Sequence, residues 1–265
     1  MIRHRLRKGG FYCSRILDNR IDCVKKKFEC RWVSRRDSSA HAFPFEFEIM
    51  TPTEELSRMR REYAAHPLDA ESLLKDPFAQ FRAWMDQSTQ AELLEPNAMS
   101  LATVTPEGTP SLRTVLLKEF STKGFVFFTN LESAKACHIA ENPNVSLLFP
   151  WLALERQAII CGVAEKLPVA SVLKYFVTRP AYSQLAAWVS PQSKIISSRQ
   201  ILEAKLEEMK RKFTDGKIPL PSFWGGFRVV PRTFEFWQGG AHRLHDRFLY
   251  SRGENDAWNI ERLAP

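Results

Sequence analysis

AMSLATVTPEGTPSLRTVLLKEF, residues 98–120, is two aliphatic and β-branched runs on either side of Pro106-Glu107-Gly108. A Pro–Gly turn between such runs reverses the chain, so 98–105 and 111–120 are predicted as adjacent strands. The same period of two returns outward from this pair. Residues 124–129, rich in Phe and Val, read as a strand, and 145–151 with 156–165 as a further pair. Late strands are predicted at 226–230, 233–237, 248–250 and 257–260. Helical spacing interrupts them at 133–141, at 168–178 before Pro180, and at 201–213, where Ile201, Leu202, Leu206, Met209 and Phe213 are expected inward. Upstream, Asp76-Pro77 is a cap followed by Pro at the first helical position, with Phe78, Phe81, Trp84 and Met85 on one face. A short polar helix is read over 53–63 with Thr53 as its cap. Many short strands with few helices predict a mostly β fold with flanking helices, an antiparallel barrel rather than a doubly wound sheet.

The 265 residues carry a net charge of +8, which invites a nucleic-acid reading. The distribution argues against it. Residues 1–36 hold 12 Lys/Arg against 3 Asp/Glu, whereas the remainder holds 26 against 27, so the body is nearly neutral. Residues 1–49 are read as a basic extension, disordered or upstream of a true start at Met50, and 50–265 as the folded domain. No apolar run approaches the length of a membrane span, so no membrane association is expected. Cys13, Cys23, Cys30, Cys137 and Cys161 form no CxxC pair, so no metal site is expected. Cys137 and Cys161 are expected to be buried thiols of a cytoplasmic protein.

GxGxxG, Walker, HExxH and GxSxG motifs are all missing, so dinucleotide, nucleoside-triphosphate and serine-hydrolase chemistry has no support. Three polar clusters remain. Arg113 to Lys118 lies on a predicted strand, where a separation of five puts the two cations nominally on opposite faces unless a bulge or strand end re-aims one. Tyr175 and Arg179 share a helical face, and Ser183 follows the Pro180 break; a phenol, a guanidinium fork and a hydroxyl suit a phosphate monoester. Trp237-Gln238-Gly239-Gly240 precedes His242-Arg243-Leu244-His245-Asp246-Arg247, where paired glycines would let backbone approach a flat ligand.

Taken in order, Arg60-Arg61-Glu62-Tyr63, 113–118, Phe127-Phe128-Thr129-Asn130, Ser222-Phe223-Trp224-Gly225-Gly226, 235–239, 243–247 and Glu261-Arg262-Leu263-Ala264-Pro265 resemble the pyridoxine/pyridoxamine 5'-phosphate oxidase family. The resemblance implies an FMN-binding split β-barrel, an oxidoreductase working as a homodimer whose sites draw on both subunits. It implies FMN held by Arg113, Thr114, Val115, Leu116, Leu117, Lys118, Phe128, Thr129, Lys135, Gln157, Gln192, Ser193, Trp237 and Arg247. Pyridoxine 5'-phosphate or pyridoxamine 5'-phosphate would be gripped by Lys118, Tyr175, Arg179 and Ser183, with Arg243, Leu244 and His245 at the ring. Arg60, Arg61, Glu62 and Tyr63 would cover the substrate. Arg243 and His245 are the catalytic candidates, and O2 the final electron acceptor. The chain departs from the family pattern at Ala134, where a second basic residue is usual. A lost charge-assisted bond is worth roughly 1.5–3 kcal/mol, so weaker FMN retention is expected. Val177-Thr178 and Ala186 also differ, away from matched contacts. The readings weighed against this one are a related split-barrel flavin or deazaflavin reductase, a non-catalytic flavin or pyridoxal-phosphate binder, and nucleic-acid binding by the leader.

Overall fold

A computed structural model describes residues 56–59, 61–63, 67–214, 216–253 and 257–265. The chain divides into Met1–Arg60 and Arg61–Pro265. In the first unit residues 56–58 form a helical turn, with Met59 N–H donating to the Leu56 carbonyl at 3.2 Å. The 1–49 extension, the Thr53 cap and Arg60 lie outside the described residues. Residues 61–63 are not helical, so the helix read through Tyr63 does not extend that far.

The second unit is built on an antiparallel sheet of nine strands: β1 (Ala98–Val104), β2 (Pro110–Leu116), β3 (Glu119–Ser121), β4 (Gly124–Asn130), β5 (Asn144–Trp151), β6 (Arg156–Lys166), β7 (Trp224–Gln238), β8 (Asp246–Arg252) and β9 (Trp258–Leu263). Their order is β2-β1-β5-β6-β7-β4-β3, with β8 on β7 and β9 on β8. The helices are α1 (Pro77–Gln90), α2 (Ala134–Glu141), α3 (Val169–Phe176), α4 (Ala181–Val189) and α5 (Gln200–Lys212). This is the expected mostly β architecture, a split barrel whose ladder is left open between β2 and β3.

β7 explains the split. One edge pairs with β6 from Phe227 to Gln238. The other edge pairs with β4 from Trp224 to Val229, then with β8 from Thr233 to Gln238. The sequence predicts two strands here because Pro231 cannot donate to a ladder. The chain instead seats Pro231 opposite Gly162, where Arg232 is skipped in the β6–β7 register and β7 changes partners, so a missing donor is tolerated.

α1 carries the main core. The Asp76 carboxylate accepts from the Phe78 and Ala79 amides at 3.1 and 3.3 Å, the expected cap. Phe81 meets Phe120, Phe125 and Phe149 edge-on at 4.9–5.0 Å, and Trp84 meets Phe236 at 5.1 Å. Other expectations need correction. The 111–120 strand is broken at Leu117-Lys118 into β2 and β3. α4, which follows Pro180 directly, was not read from the sequence. On α5 only Met209 is buried, and Ile201 is exposed, because the helix lies over the surface rather than against the barrel core. Cys137 and Cys161 are free and exposed, not buried; Cys161 faces outward on β6, where its neighbours Ile160 and Gly162 point inward. Among the described residues no helix is long and apolar enough to cross a membrane.

Candidate active site

A cavity of about 540 Å³ opens where the N-terminal end of β7 passes β4, β2 and the α3–α4 corner. Arg113, Thr114, Val115 and Leu116 line it from β2, Phe128, Thr129 and Asn130 from β4, and Lys135 from α2. Tyr175, Arg179 and Gln192 close it, with Trp224 at the floor. Lys118 joins them because β2 ends at Leu116. Its amide donates to the Val126 carbonyl at 2.9 Å, and that turn brings it to the same cavity as Arg113. Leu117 turns the other way, into the core at 5% exposure, and does not line the cavity.

Among the described residues, four cations and no carboxylate face this space. Burial lowers the pKa of Arg113. Burial, then the nearby Arg113 charge, lowers that of Lys135. Lys135 Nζ donates to Gln192 Oε1 at 2.6 Å and to Thr129 Oγ1 at 3.3 Å, so neutral oxygens position it without neutralising it. The Arg179 guanidinium lies over Trp224 at 4.7 Å, with its pKa lowered by burial and partly restored by Tyr175. Its Nη1 is buried with no hydrogen-bond partner among the described residues. A buried, unpaired charged donor is costly, and an anion is the partner that removes the cost. Phe128 stacks on Tyr175 at 4.0 Å and on Trp224 at 5.3 Å, nearly parallel in both cases. Gly226 permits this stack, since a Cβ there would lie 2.7 Å from Phe128 Cδ1. Ser183 lies on α4 outside the cavity lining, and the Ser193 hydroxyl accepts from the Ala134 amide at 3.2 Å.

A second cluster forms at the other end of β7. Tyr63, Trp237 and His245 pack ring to ring with centroids 4.8–5.7 Å apart. Gly240 N–H donates to His245 Nδ1 at 3.1 Å, which leaves the ring proton on Nε2. His242 and Arg243 both hold left-handed backbone, φ 54° and 63°, a strained conformation of the kind found at functional sites. Arg243 and Leu244 are exposed. The glycines at 239 and 240 serve the chain itself rather than a ligand: a Cβ on Gly239 would meet the Tyr63 ring at 2.9 Å, and one on Gly240 the Leu244 carbonyl oxygen at 2.2 Å. Arg61 pairs with buried Glu155 at 3.0 Å, and Glu62 accepts from the His242 amide at 2.7 Å. Arg247 is engaged within the chain, by both oxygens of Glu235 and by the Ala264 carbonyl. Gln157 sits beside Trp237 in the β6–β7 ladder.

The pyridoxamine 5'-phosphate oxidase family profile matches residues 85–213, and the profile for the pyridoxine 5'-phosphate oxidase C-terminal dimerisation region matches 224–265. The chain is 58% identical over 211 residues to the pyridoxine/pyridoxamine 5'-phosphate oxidase of Rippkaea orientalis, covering 80% of this chain and 100% of that protein. It is 55% identical over 212 residues to the enzyme of that name from Escherichia coli O9:H4, covering 80% and 97%. The chain belongs to the pyridoxine/pyridoxamine 5'-phosphate oxidase family. Among solved structures it resembles PhzG from Burkholderia lata 383, crystallised with tetrahydrophenazine-1-carboxylic acid, with TM-score 0.72, 27% identity and coverage of 77% of this chain and 100% of that one. A pyridoxamine 5'-phosphate oxidase-related, FMN-binding protein of Nostoc punctiforme shares the fold, with TM-score 0.58, 18% identity and coverage of 73% and 100%.

The cavity falls almost wholly within the first matched region, and the Trp237–His245 cluster within the second. Asn130, Ala186, Ala187, Ser190 and Trp224 line the cavity although the sequence reading gave them no role. For Trp224, the signal available was two glycines following an aromatic residue. Trp224 and Trp237 are separated along β7 by a length on the order of 40 Å for an extended strand. Among the described residues, Trp237, Arg243 and His245 do not line the cavity that Trp224 lines.

Proposed function

We propose that this chain is a flavoprotein oxidase that uses FMN to convert pyridoxine 5'-phosphate and pyridoxamine 5'-phosphate into pyridoxal 5'-phosphate, with O2 reduced to H2O2. The observation that carries this is the buried, partnerless Arg179 Nη1 in a cavity that four cations and no carboxylate line. Such a lining fits phosphate-bearing ligands, and the volume lies within the range of ordinary cofactor sites.

Arg113 and Lys135 are the residues that would hold the FMN phosphate, with Thr114, Val115, Leu116, Thr129 and Gln192 along the cofactor. Bound FMN supplies the acceptor for the hydride leaving the substrate C4' carbon and returns the electrons to O2. Lys118, Tyr175 and Arg179 would bind the substrate phosphate and so fix where C4' lies. Arg243 would align the pyridine ring. His245, with Nδ1 accepting from Gly240, offers an Nε2–H donor beside it. For the amine substrate an imine results, and water hydrolyses it to the aldehyde and ammonia.

The enzyme acts as a homodimer in this reading. The Trp237–His245 end of one copy completes the cavity of the other, consistent with the separation along β7 and with the dimerisation-region match over 224–265. The cytoplasm is the proposed location, since free, exposed Cys137 and Cys161 suit a reducing compartment. The purified protein is expected to be yellow, and to form aldehyde and peroxide from both substrates. Colourless protein that takes up no added FMN would overturn the proposal.

A further inference from the structure

Behind the cavity wall, hydrogen bonds lead from Arg113 to a histidine that the site has not yet used. Arg113 Nη1 donates to the Leu101 carbonyl at 3.0 Å and to Thr103 Oγ1 at 2.7 Å, and Nη2 donates to Ser111 Oγ. A guanidinium can only donate, so the Thr103 oxygen is an acceptor here and its own proton is free. Thr103 is fully buried on β1, where a hydroxyl proton needs an acceptor. His138 Nδ1 lies 3.1 Å from Thr103 Oγ1 and, in the tautomer that carries its proton on Nε2, is that acceptor. His138 is half-buried on α2, one turn beyond Lys135, so one short helix presents both the cavity lysine and the far end of the arginine's hydrogen-bond chain.

We propose that His138 is a positioning residue for the anion-binding end of the cavity. By accepting the Thr103 proton it orients the Thr103 lone pairs toward Arg113 Nη1. That fixes the edge of the guanidinium anchored to β1 and leaves Nε and part of Nη2 for a phosphate. Without an acceptor at this position the Thr103 hydroxyl turns to another neighbour, and the guanidinium loses one of its anchors next to Lys135, whose charge already opposes it. The inference rests on the reading of Arg113 and Lys135 as holders of the FMN phosphate.

The test is titration of the flavin-free protein with FMN and, separately, with riboflavin, followed by quenching of flavin fluorescence. His138→Leu removes the acceptor; His138→Asn places an amide oxygen near the former Nδ1. His138→Leu is expected to weaken FMN binding roughly three- to tenfold, the loss of one ordinary hydrogen bond, and to leave riboflavin binding unchanged. His138→Asn is expected to restore FMN affinity to within about twofold on the same scale. His138→Ala serves with the same expectation if the Leu variant does not fold. Unchanged FMN affinity in His138→Leu, equal weakening toward FMN and riboflavin, or failure of His138→Asn to rescue each overturns the proposal; equal weakening would reduce His138 to packing of α2. Arg113→Ala separates the layers. If it fails to lower FMN affinity, the reading of the cavity falls and this inference falls with it. If it lowers FMN affinity while His138→Leu does not, only the inference falls.

Discussion

In the proposed reading, Arg179 and Arg243 would divide the work of the site by their surroundings. Arg179 is held over Trp224 with a buried N–H that has no partner, an arrangement suited to a dianion that arrives with substrate. Arg243 is exposed on a left-handed turn beyond the far end of β7. Arg179→Ala is expected to raise KM for both substrates roughly ten- to hundredfold, the worth of a charge-assisted contact, with a smaller change in kcat. Arg243→Ala is expected to lower kcat strongly while the protein keeps its flavin. Steady-state kinetics with an absorption spectrum check both, and an unchanged KM would remove Arg179 from the phosphate site.

Between elements, Tyr250 joins β8 to the segment before α1, its hydroxyl donating to the Leu74 carbonyl at 2.9 Å. Burial, with Asp76 adding to it, pushes the phenol up to about 12. An unfolded Tyr ionises near 10, so the neutral hydroxyl contributes fully below about pH 10 and its contribution is lost as pH rises toward 12. Tyr250→Phe should therefore be less stable than the parent near neutrality, and denaturant melts should show the gap closing between pH 10 and pH 12. A gap independent of pH would contradict the assignment. Element identity was largely legible in the sequence. The turn at Pro106-Glu107-Gly108, the Asp76-Pro77 cap and the alternation along β5 and β6 are local signals, and each element formed where local chemistry placed it. What was not legible depends on partners. Pro231 breaks a strand unless the opposite ladder shifts register, α4 starts without a capping side chain, and Lys118 joins Arg113 only because β2 ends between them. Ile201, Cys137 and Cys161 were misjudged because residue type alone does not say which face an element buries, and the core-facing side chain of Leu117 was not legible for the same reason.

Across the molecule, β7 ties two chemistries together and keeps them apart. Its first half floors a cationic cavity; its second half carries Trp237 and leads to Arg243 and His245. Many of the candidates named from the sequence line the cavity or the Trp237–His245 cluster, though Leu117 and Ser183 do not line the cavity, and the separation into two clusters was not legible because it follows from the length of one strand. The claim that two copies unite these clusters into one site is tested most directly by mixing two crippled chains. One carries Lys118→Ala with Arg179→Ala, the other Arg243→Ala. In a twofold dimer each mixed pair has one site with both defects and one with neither, so random mixing should recover about one quarter of the unaltered activity. A mixture no more active than the sum of its separate components would contradict a shared site.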